Sequence, residues 1–312
     1  MARFGGPEVL ELVELERPRP GRDEVLIRVA MAGVNFADTH RRTDTYLART
    51  TLPMVPGSEV AGVREDTGER VVALCGAGGY AEYALAARDR VFPLPDGVDD
   101  AVALAMLVQG CTAWHLYRTA GRVVRGESVV IHAAAGGVGS LAVQLAHPLG
   151  AARAIASASS EPKLALAREL GADRVLLGEA DGLTERILAA NDGRPVDVIF
   201  DSAGGAVFDA SLAALAHFGR IVTYGIASRE QNEVRTGRLM RNSQAVVGFW
   251  LWHCLERPEM LSEALSDLFA RVSAGTLRAL IGGVYPLAQA AQAQIDLAAR
   301  STTGKLVLDT RA

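Results

Sequence analysis

The stretch VVIHAAAGGVGSLAVQLA, residues 129–146, decides how this chain is read. Val129, Val130, Ile131 and His132 form a short, mostly apolar run with the character of a buried strand. A glycine-bearing turn follows at once, Ala134-Ala135-Gly136-Gly137-Val138-Gly139. Val138, Leu141, Ala142 and Leu145 then recur at helical spacing and give one apolar face. A strand that runs through glycines into a helix N-terminus is how doubly wound α/β proteins hold a dinucleotide pyrophosphate. The glycines let backbone N–H groups approach the phosphates, and the helix end adds unpaired donors and a favourable dipole. Against the pattern G-x-G-x-x-G, Ala134 takes the first position while Gly136 and Gly139 fit the other two.

Working outward, strands alternate with helices on the C-terminal side. Strand patterns at 128–132, 153–157, 174–177, 196–201 and 219–225 are separated by helical patterns at 138–147, 161–170, 181–191 and 206–217, and a last apolar strand falls near 245–251. Such alternation implies parallel βαβ units. The N-terminal side has a different texture. Residues 8–33 read as two strands around the turn PRPGRDE, and short strands at 57–63, 69–74 and 81–86 continue a glycine-rich β style. Helices near 258–274 and 286–299 and a strand at 304–308 end the chain. The pattern is a β-rich N-terminal domain, a central doubly wound domain, and a tail that can rejoin the first part. The ligand is expected outside the carboxyl ends of the parallel strands.

Bulk properties narrow the function. The 312 residues suit two domains, and a net charge of −4 argues against nucleic acid or an anionic membrane as the main partner. The start, MARFGGPEVLELVELE, lacks the apolar run of a signal peptide, and residues 101–117 are too short and too interrupted to span a bilayer. A soluble, cytoplasmic protein is expected. Cys75, Cys111 and Cys254 are widely spaced and form neither a disulfide framework nor a zinc ribbon. Of the 32 basic residues only Lys163 and Lys305 are lysine, which singles out two sites where a compact ammonium can be required.

With these blocks in view, the chain resembles the medium-chain dehydrogenase/reductase superfamily, and within it the zinc-free quinone oxidoreductase and enoyl reductase branch. The matching blocks are FGGPEVL (4–10), GVNFAD (33–38), PGSEVAG (56–62), GGYAEY (78–83), QGCTAWHL (109–116), HAAAGGVGSLAVQLA (132–146), KLALARELGAD (163–173), DSAGG (201–205) and STTGKLVLD (301–309). The resemblance implies an α/β chain with a GroES-like, β-rich catalytic domain over residues 1–106 and 254–312. A Rossmann domain with a doubly wound parallel sheet would cover residues 107–253. Zinc-dependent members carry a Cys ligand near the position of Asn35 and a His where this chain has Ser58. Those ligands are absent, so no metal is expected.

The cofactor reading follows from the end of the second parallel strand. NAD sites place an acid about 20 residues past the glycines for the ribose 2′-OH. Here Ser157, Ser159 and Ser160 precede Lys163, with no acid before Glu161. Hydroxyls and an ammonium suit a 2′-phosphate, so NADPH is expected, although Ser159 or Ser160 can equally serve as a plain helix cap. Relatives often have a Tyr where this chain has Leu177-Gly178. The resemblance further implies cofactor contacts from Thr112, Ala134, Gly136, Gly137, Val138, Gly139, Ser202, Tyr224, Gly225, Phe249 and Lys305, the last reaching the nicotinamide end.

Reduction of a quinone or an activated C=C needs a stacked nicotinamide, a polarised carbonyl and a proton. Asn35 matches the family Asn and can donate to cofactor or substrate carbonyl. His40 stands where relatives commonly carry Tyr, and it can donate a proton near neutrality. Tyr46 is the second donor candidate. Asp38 reads as structural, and His132 as a packed strand-end residue. The leading expectation is an NADPH-dependent, zinc-free reductase of quinones or α,β-unsaturated carbonyls, working as a homodimer paired near residues 246–251. An enoyl-thioester reductase and a non-catalytic NADPH-binding protein are the competing readings.

Overall fold

In the computed structural model, which describes residues 1–312, five strands open the chain. They are β1 (Glu24–Val34), β2 (Glu59–Arg64), β3 (Arg70–Leu74), β4 (Tyr83–Ala87) and β5 (Val91–Pro93), with helix α1 (Phe36–Arg42) after β1. Helices α2 (Asp100–Leu104) and α3 (Cys111–His115) follow, each continuing into π-helical turns. Strands and helices then alternate through β6 (Ser128–Ile131), α4 (Gly137–Leu145), β7 (Arg153–Ala158), α5 (Glu161–Glu169), β8 (Arg174–Leu177) and α6 (Leu183–Ala190). The run ends with β9 (Val196–Asp201), α7 (Gly205–Ala213), β10 (Leu215–Thr223), α8 (Thr236–Asn242) and β11 (Ala245–Gly248). Helix α9 (Pro258–Ser273), β12 (Ile281–Pro286), α10 (Ala290–Ala298) and β13 (Lys305–Asp309) complete the chain. It divides into two units, Met1–Gln109 with Cys254–Ala312, and Gly110–His253, so the first unit runs to 109 rather than to 106.

The first unit is organised by β1. That strand pairs antiparallel with β2, β4 and β13, and β12 adds parallel to β13, giving the path β12-β13-β1-β2-β3-β5. Val25, Ile27 and Val29 alternate into the core, and a register shift between Val29 and Met31 turns Ala32 and Val34 inward as well. Opposite the bulge stands Gly62, where a Cβ would lie 2.1 Å from the Arg28 carbonyl oxygen. No larger residue fits there. The C-terminal strand β13 supplies Leu306 and Leu308 to the same core, so the end of the chain completes a sheet begun at its start.

One expected strand is missing. Residues 8–33 read as two strands, but only β1 forms; Pro7–Val9 is a short helical turn and residues 10–21 hold no regular structure. Alternation of Leu and Glu favours a strand only when a neighbour accepts the pairing and covers the apolar side. Here Leu12, Val13 and Leu15 are more than half exposed. Helix α1, strand β12 and helix α8 were not anticipated.

The second unit is a parallel sheet of order β11-β10-β9-β6-β7-β8. Counted from β6 this is the 3-2-1-4-5-6 arrangement of dinucleotide-binding folds, and the winding reverses between β6 and β9. Val129, Val130, Ile131, Ile155, Val198, Ile199 and Phe200 are buried on these strands, which is why they read as near-continuous apolar runs. The carboxyl ends of β6 and β9 therefore mark where a dinucleotide belongs.

Candidate active site

The turn after β6 is held at three points. His132 N–H donates to the Phe200 carbonyl on β9 (3.2 Å), Ala134 N–H to the Ser157 carbonyl on β7 (2.9 Å), and Gly136 N–H to the Ala133 carbonyl (2.9 Å). Ala133 sits at φ +52°, so the chain reverses sharply before Gly136 caps α4. A Cβ on Gly139 would stand 2.3 Å from the Ala133 carbonyl oxygen. The first turn of α4 can lie on the loop only because residue 139 has no side chain. Residues 136–138 are partly exposed and present the helix start to a ligand, whereas Ala134 and Gly139 are buried. The Ala134 side chain is buried within the turn.

The serines separate in the same way. The Ser157 hydroxyl is buried and lies 2.7 Å from His132 Nδ1, while His132 Nε2 lies 2.7 Å from the Ser211 hydroxyl. Burial pulls the His132 pKa down to about 4, so a neutral imidazole bridges β6, β7 and α7. Ser157 is thus committed to the core and not to a phosphate, because a hydroxyl on the inward face of a parallel strand finds its partner there. Ser159 is exposed, and Ser160 caps α5 in extended geometry without a side-chain cap bond. Its hydroxyl leaves the helix N–H groups available to an outside acceptor. Lys163 lies in the first turn of the same helix and is half-buried. These residues fit a ribose phosphate: two hydroxyls, open helix donors and an ammonium within five positions.

At the other strand ends, Ser202 follows β9 and Tyr224-Gly225 follows β10. Tyr224 N–H donates to the Asp201 carbonyl (3.0 Å), and a Cβ on Gly225 would come within 3.2 Å of Ser202 Cβ. Burial lifts the Tyr224 phenol to about 12, with the Ser202 hydroxyl pulling the other way, and lifts Asp201 to about 6 despite N–H bonds from Ala203 and Gly204. Thr112 is buried on α3. Phe249 is half-buried, its ring centroid 5.8 Å from that of His115.

The first unit contains a second polar cluster. Asn35 is the N-cap of α1; Asp38, three residues on, accepts its backbone N–H (2.9 Å) and the Tyr80 hydroxyl (2.9 Å). The Asn35 side-chain nitrogen donates to Glu59 Oε1 (2.7 Å), and its oxygen accepts from Lys305 Nζ (3.0 Å). Lys305 also donates to Glu59 Oε1 and to the Val34 carbonyl (3.3 Å), while Val108 N–H donates to Glu59 Oε2 (3.3 Å). Lys305 and Glu59 are both fully buried. The ammonium of Lys305, expected at the nicotinamide end, is bonded here to three oxygens of its own unit. His40 and Tyr46 lie on and just beyond α1, both partly exposed. His40 Nδ1 is 3.4 Å from the Thr45 hydroxyl, and the Arg41 guanidinium sits 5.1 Å over the Tyr46 ring.

Glu59 and Tyr80 escaped sequence reasoning as parts of this cluster. The available signal was a carboxylate in the strand VAG of PGSEVAG, since a charge on a buried strand requires a partner. The cluster does not suit zinc. No three His, Cys, Asp or Glu side chains converge, and the Glu59 carboxylate is already paired with the Lys305 ammonium.

Comparison with known proteins agrees with both units. The alcohol dehydrogenase GroES-like domain family matches residues 21–96, and the family described as zinc-binding dehydrogenase matches residues 137–270. A quinone oxidoreductase of Pseudomonas aeruginosa is 36% identical over 98% of this chain and 97% of its own length. Among solved structures, the quinone oxidoreductase of Thermus thermophilus, also described in complex with NADPH, is 38% identical with a TM-score of 0.88, covering 99% of this chain and 98% of that one. The Escherichia coli quinone oxidoreductase complexed with NADPH is 30% identical with a TM-score of 0.93 at the same coverage. Matched along nearly its whole length, the chain belongs to the medium-chain dehydrogenase/reductase superfamily, in its zinc-free quinone oxidoreductase branch.

Proposed function

We infer that this chain is an NADPH-dependent quinone oxidoreductase. The observation that carries the reading is the end of β7, where Ser159, Ser160 and Lys163 stand at an open helix start in place of the acid that a ribose 2′-OH would need. The backbone N–H groups of Gly137 and Val138 would hold the pyrophosphate, and Ser202, Tyr224, Gly225, Thr112 and Phe249 would line the remainder of the cofactor. Bound NADPH supplies a hydride, and one proton from the protein or solvent completes a two-electron reduction to the hydroquinone.

The protein's own part is to orient and to polarise. Asn35 retains one side-chain N–H beyond the bond to Glu59, and it donates this to the acceptor carbonyl as negative charge builds on that oxygen. His40, partly exposed and 3.4 Å from the Thr45 hydroxyl, is the proton donor, with the Tyr46 hydroxyl as the alternative source. An α,β-unsaturated ketone presents the same conjugated carbonyl and is a second acceptor class for this arrangement. A homodimer paired through the exposed edge of β11 and a cytoplasmic location complete the proposal. Three free cysteines accord with a reducing compartment, and no helix is long and apolar enough to cross a membrane.

The test is NADPH oxidation with a soluble quinone, a cyclic enone and a crotonyl thioester as separate acceptors. Turnover with the quinone is expected. Turnover with the thioester alone would make the chain an enoyl reductase, and tight NADPH binding with no turnover would make it a binding protein.

A further inference from the structure

Lys305 is one of two lysines among 32 basic residues, and its surroundings explain why it is not arginine. Its buried ammonium faces the Val34 carbonyl, Asn35 Oδ1 and Glu59 Oε1. Three N–H bonds meet three oxygens, whereas the five N–H groups of a planar guanidinium could not all be satisfied in so small a socket. Glu59, equally buried, closes the ring by accepting from the Asn35 amide nitrogen at 2.7 Å.

The ring fixes which way the Asn35 amide points. Its oxygen faces the cation and its nitrogen faces the anion. Rotating the amide by half a turn would set the NH2 group against the ammonium and the oxygen against the carboxylate, two repulsive contacts among buried groups. Only the second amide N–H stays uncommitted within this ring, and Asn35 keeps 7% of its surface exposed.

We propose that Lys305 and Glu59 are positioning residues: a buried ion pair that locks the Asn35 amide so that its spare N–H is presented to the carbonyl acceptor. This rests on the reductase reading above and goes beyond it by assigning Lys305 to orientation of the acceptor's donor and not to the cofactor.

Two measurements test it. The first needs neither cofactor nor acceptor: nuclear magnetic resonance of protein carrying isotope-labelled lysine and asparagine side chains. A slowly exchanging ammonium signal lost in Lys305→Met is expected, together with a slowly exchanging Asn35 amide that becomes fast in the doubly neutral variant Glu59→Gln with Lys305→Met. That pair replaces both charges at once, and its thermal melting verifies the fold. An Asn35 amide still locked in the double variant would overturn the proposal. The second is kinetic. In the double variant kcat with a soluble quinone is expected to fall roughly 10- to 100-fold while the KM for NADPH stays within about twofold. A melting shift with kcat unchanged would reduce the pair to a structural one, and a loss confined to the KM for NADPH would return Lys305 to the cofactor; either overturns it. Should the unaltered protein reduce no quinone, the reductase reading fails by itself, and the amide exchange still decides whether the ion pair holds Asn35.

Discussion

Asp38 Oδ2 and the Tyr80 hydroxyl lie 2.9 Å apart in the core of the first unit, and the same carboxylate accepts the Asn35 backbone N–H. Burial raises the Asp38 pKa to about 6, outweighing the lowering by the Asn35 N–H and the Tyr80 hydroxyl. The folded state therefore favours the protonated acid, against an ordinary value of 3.8. Stability from this group is fully present below about pH 4 and is lost as pH rises through about 6, an effect of about 3 kcal/mol for a shift of about two units. Asp38→Asn has no such titration. The stability gap between the unaltered protein and this variant, read from urea unfolding, should shrink as pH rises from about 4 to about 7. A gap that widened or stayed constant would contradict the assignment.

Gly139→Ala tests the glycine turn. The added methyl would meet the backbone oxygen of Ala133 at 2.3 Å, and neither partner is a flexible side chain. The helix start must shift, so NADPH affinity should drop steeply and stability should fall by roughly 1–3 kcal/mol. Calorimetric titration of NADPH and thermal melting read the two effects. Unchanged affinity would mean that the turn does not carry the pyrophosphate.

Lys163→Ala probes the ribose phosphate. A charge-assisted hydrogen bond contributes about 1.5–3 kcal/mol, so the KM for NADPH should rise about tenfold or more. With NADH, which lacks that phosphate, the variant should match the unaltered protein. Equal losses with both coenzymes would assign Lys163 to the helix alone.

His40→Phe addresses the proton. If the imidazole donates it, kcat with a quinone should fall roughly 100-fold or more while the KM for NADPH holds. An unaltered kcat would pass the role to Tyr46 or to solvent.

The Rossmann unit was legible because its information is local. The buried run before Gly136, the apolar period after it and the hydroxyls before Lys163 all lie within contiguous sequence, and β6, α4, β7 and α5 form near their expected bounds. What depends on distant partners was not. Ser157 resembles its serine neighbours in sequence, but His132 claims it from 25 positions away. Glu59 and Lys305 are 246 positions apart, and nothing near either residue announces the other. Residues 10–16 show the converse. Their alternation is a strand pattern, yet no strand pairs with them, so local preference alone did not make one.

The central claim is tested most directly by single-turnover mixing of the NADPH-bound protein with excess soluble quinone in the absence of oxygen. The account predicts loss of the reduced-nicotinamide absorbance at a rate that saturates with quinone, one hydroquinone formed per NADPH, and a much weaker reaction from NADH. Stoichiometric NADPH binding without oxidation by any quinone, or equal use of NADH, would contradict it.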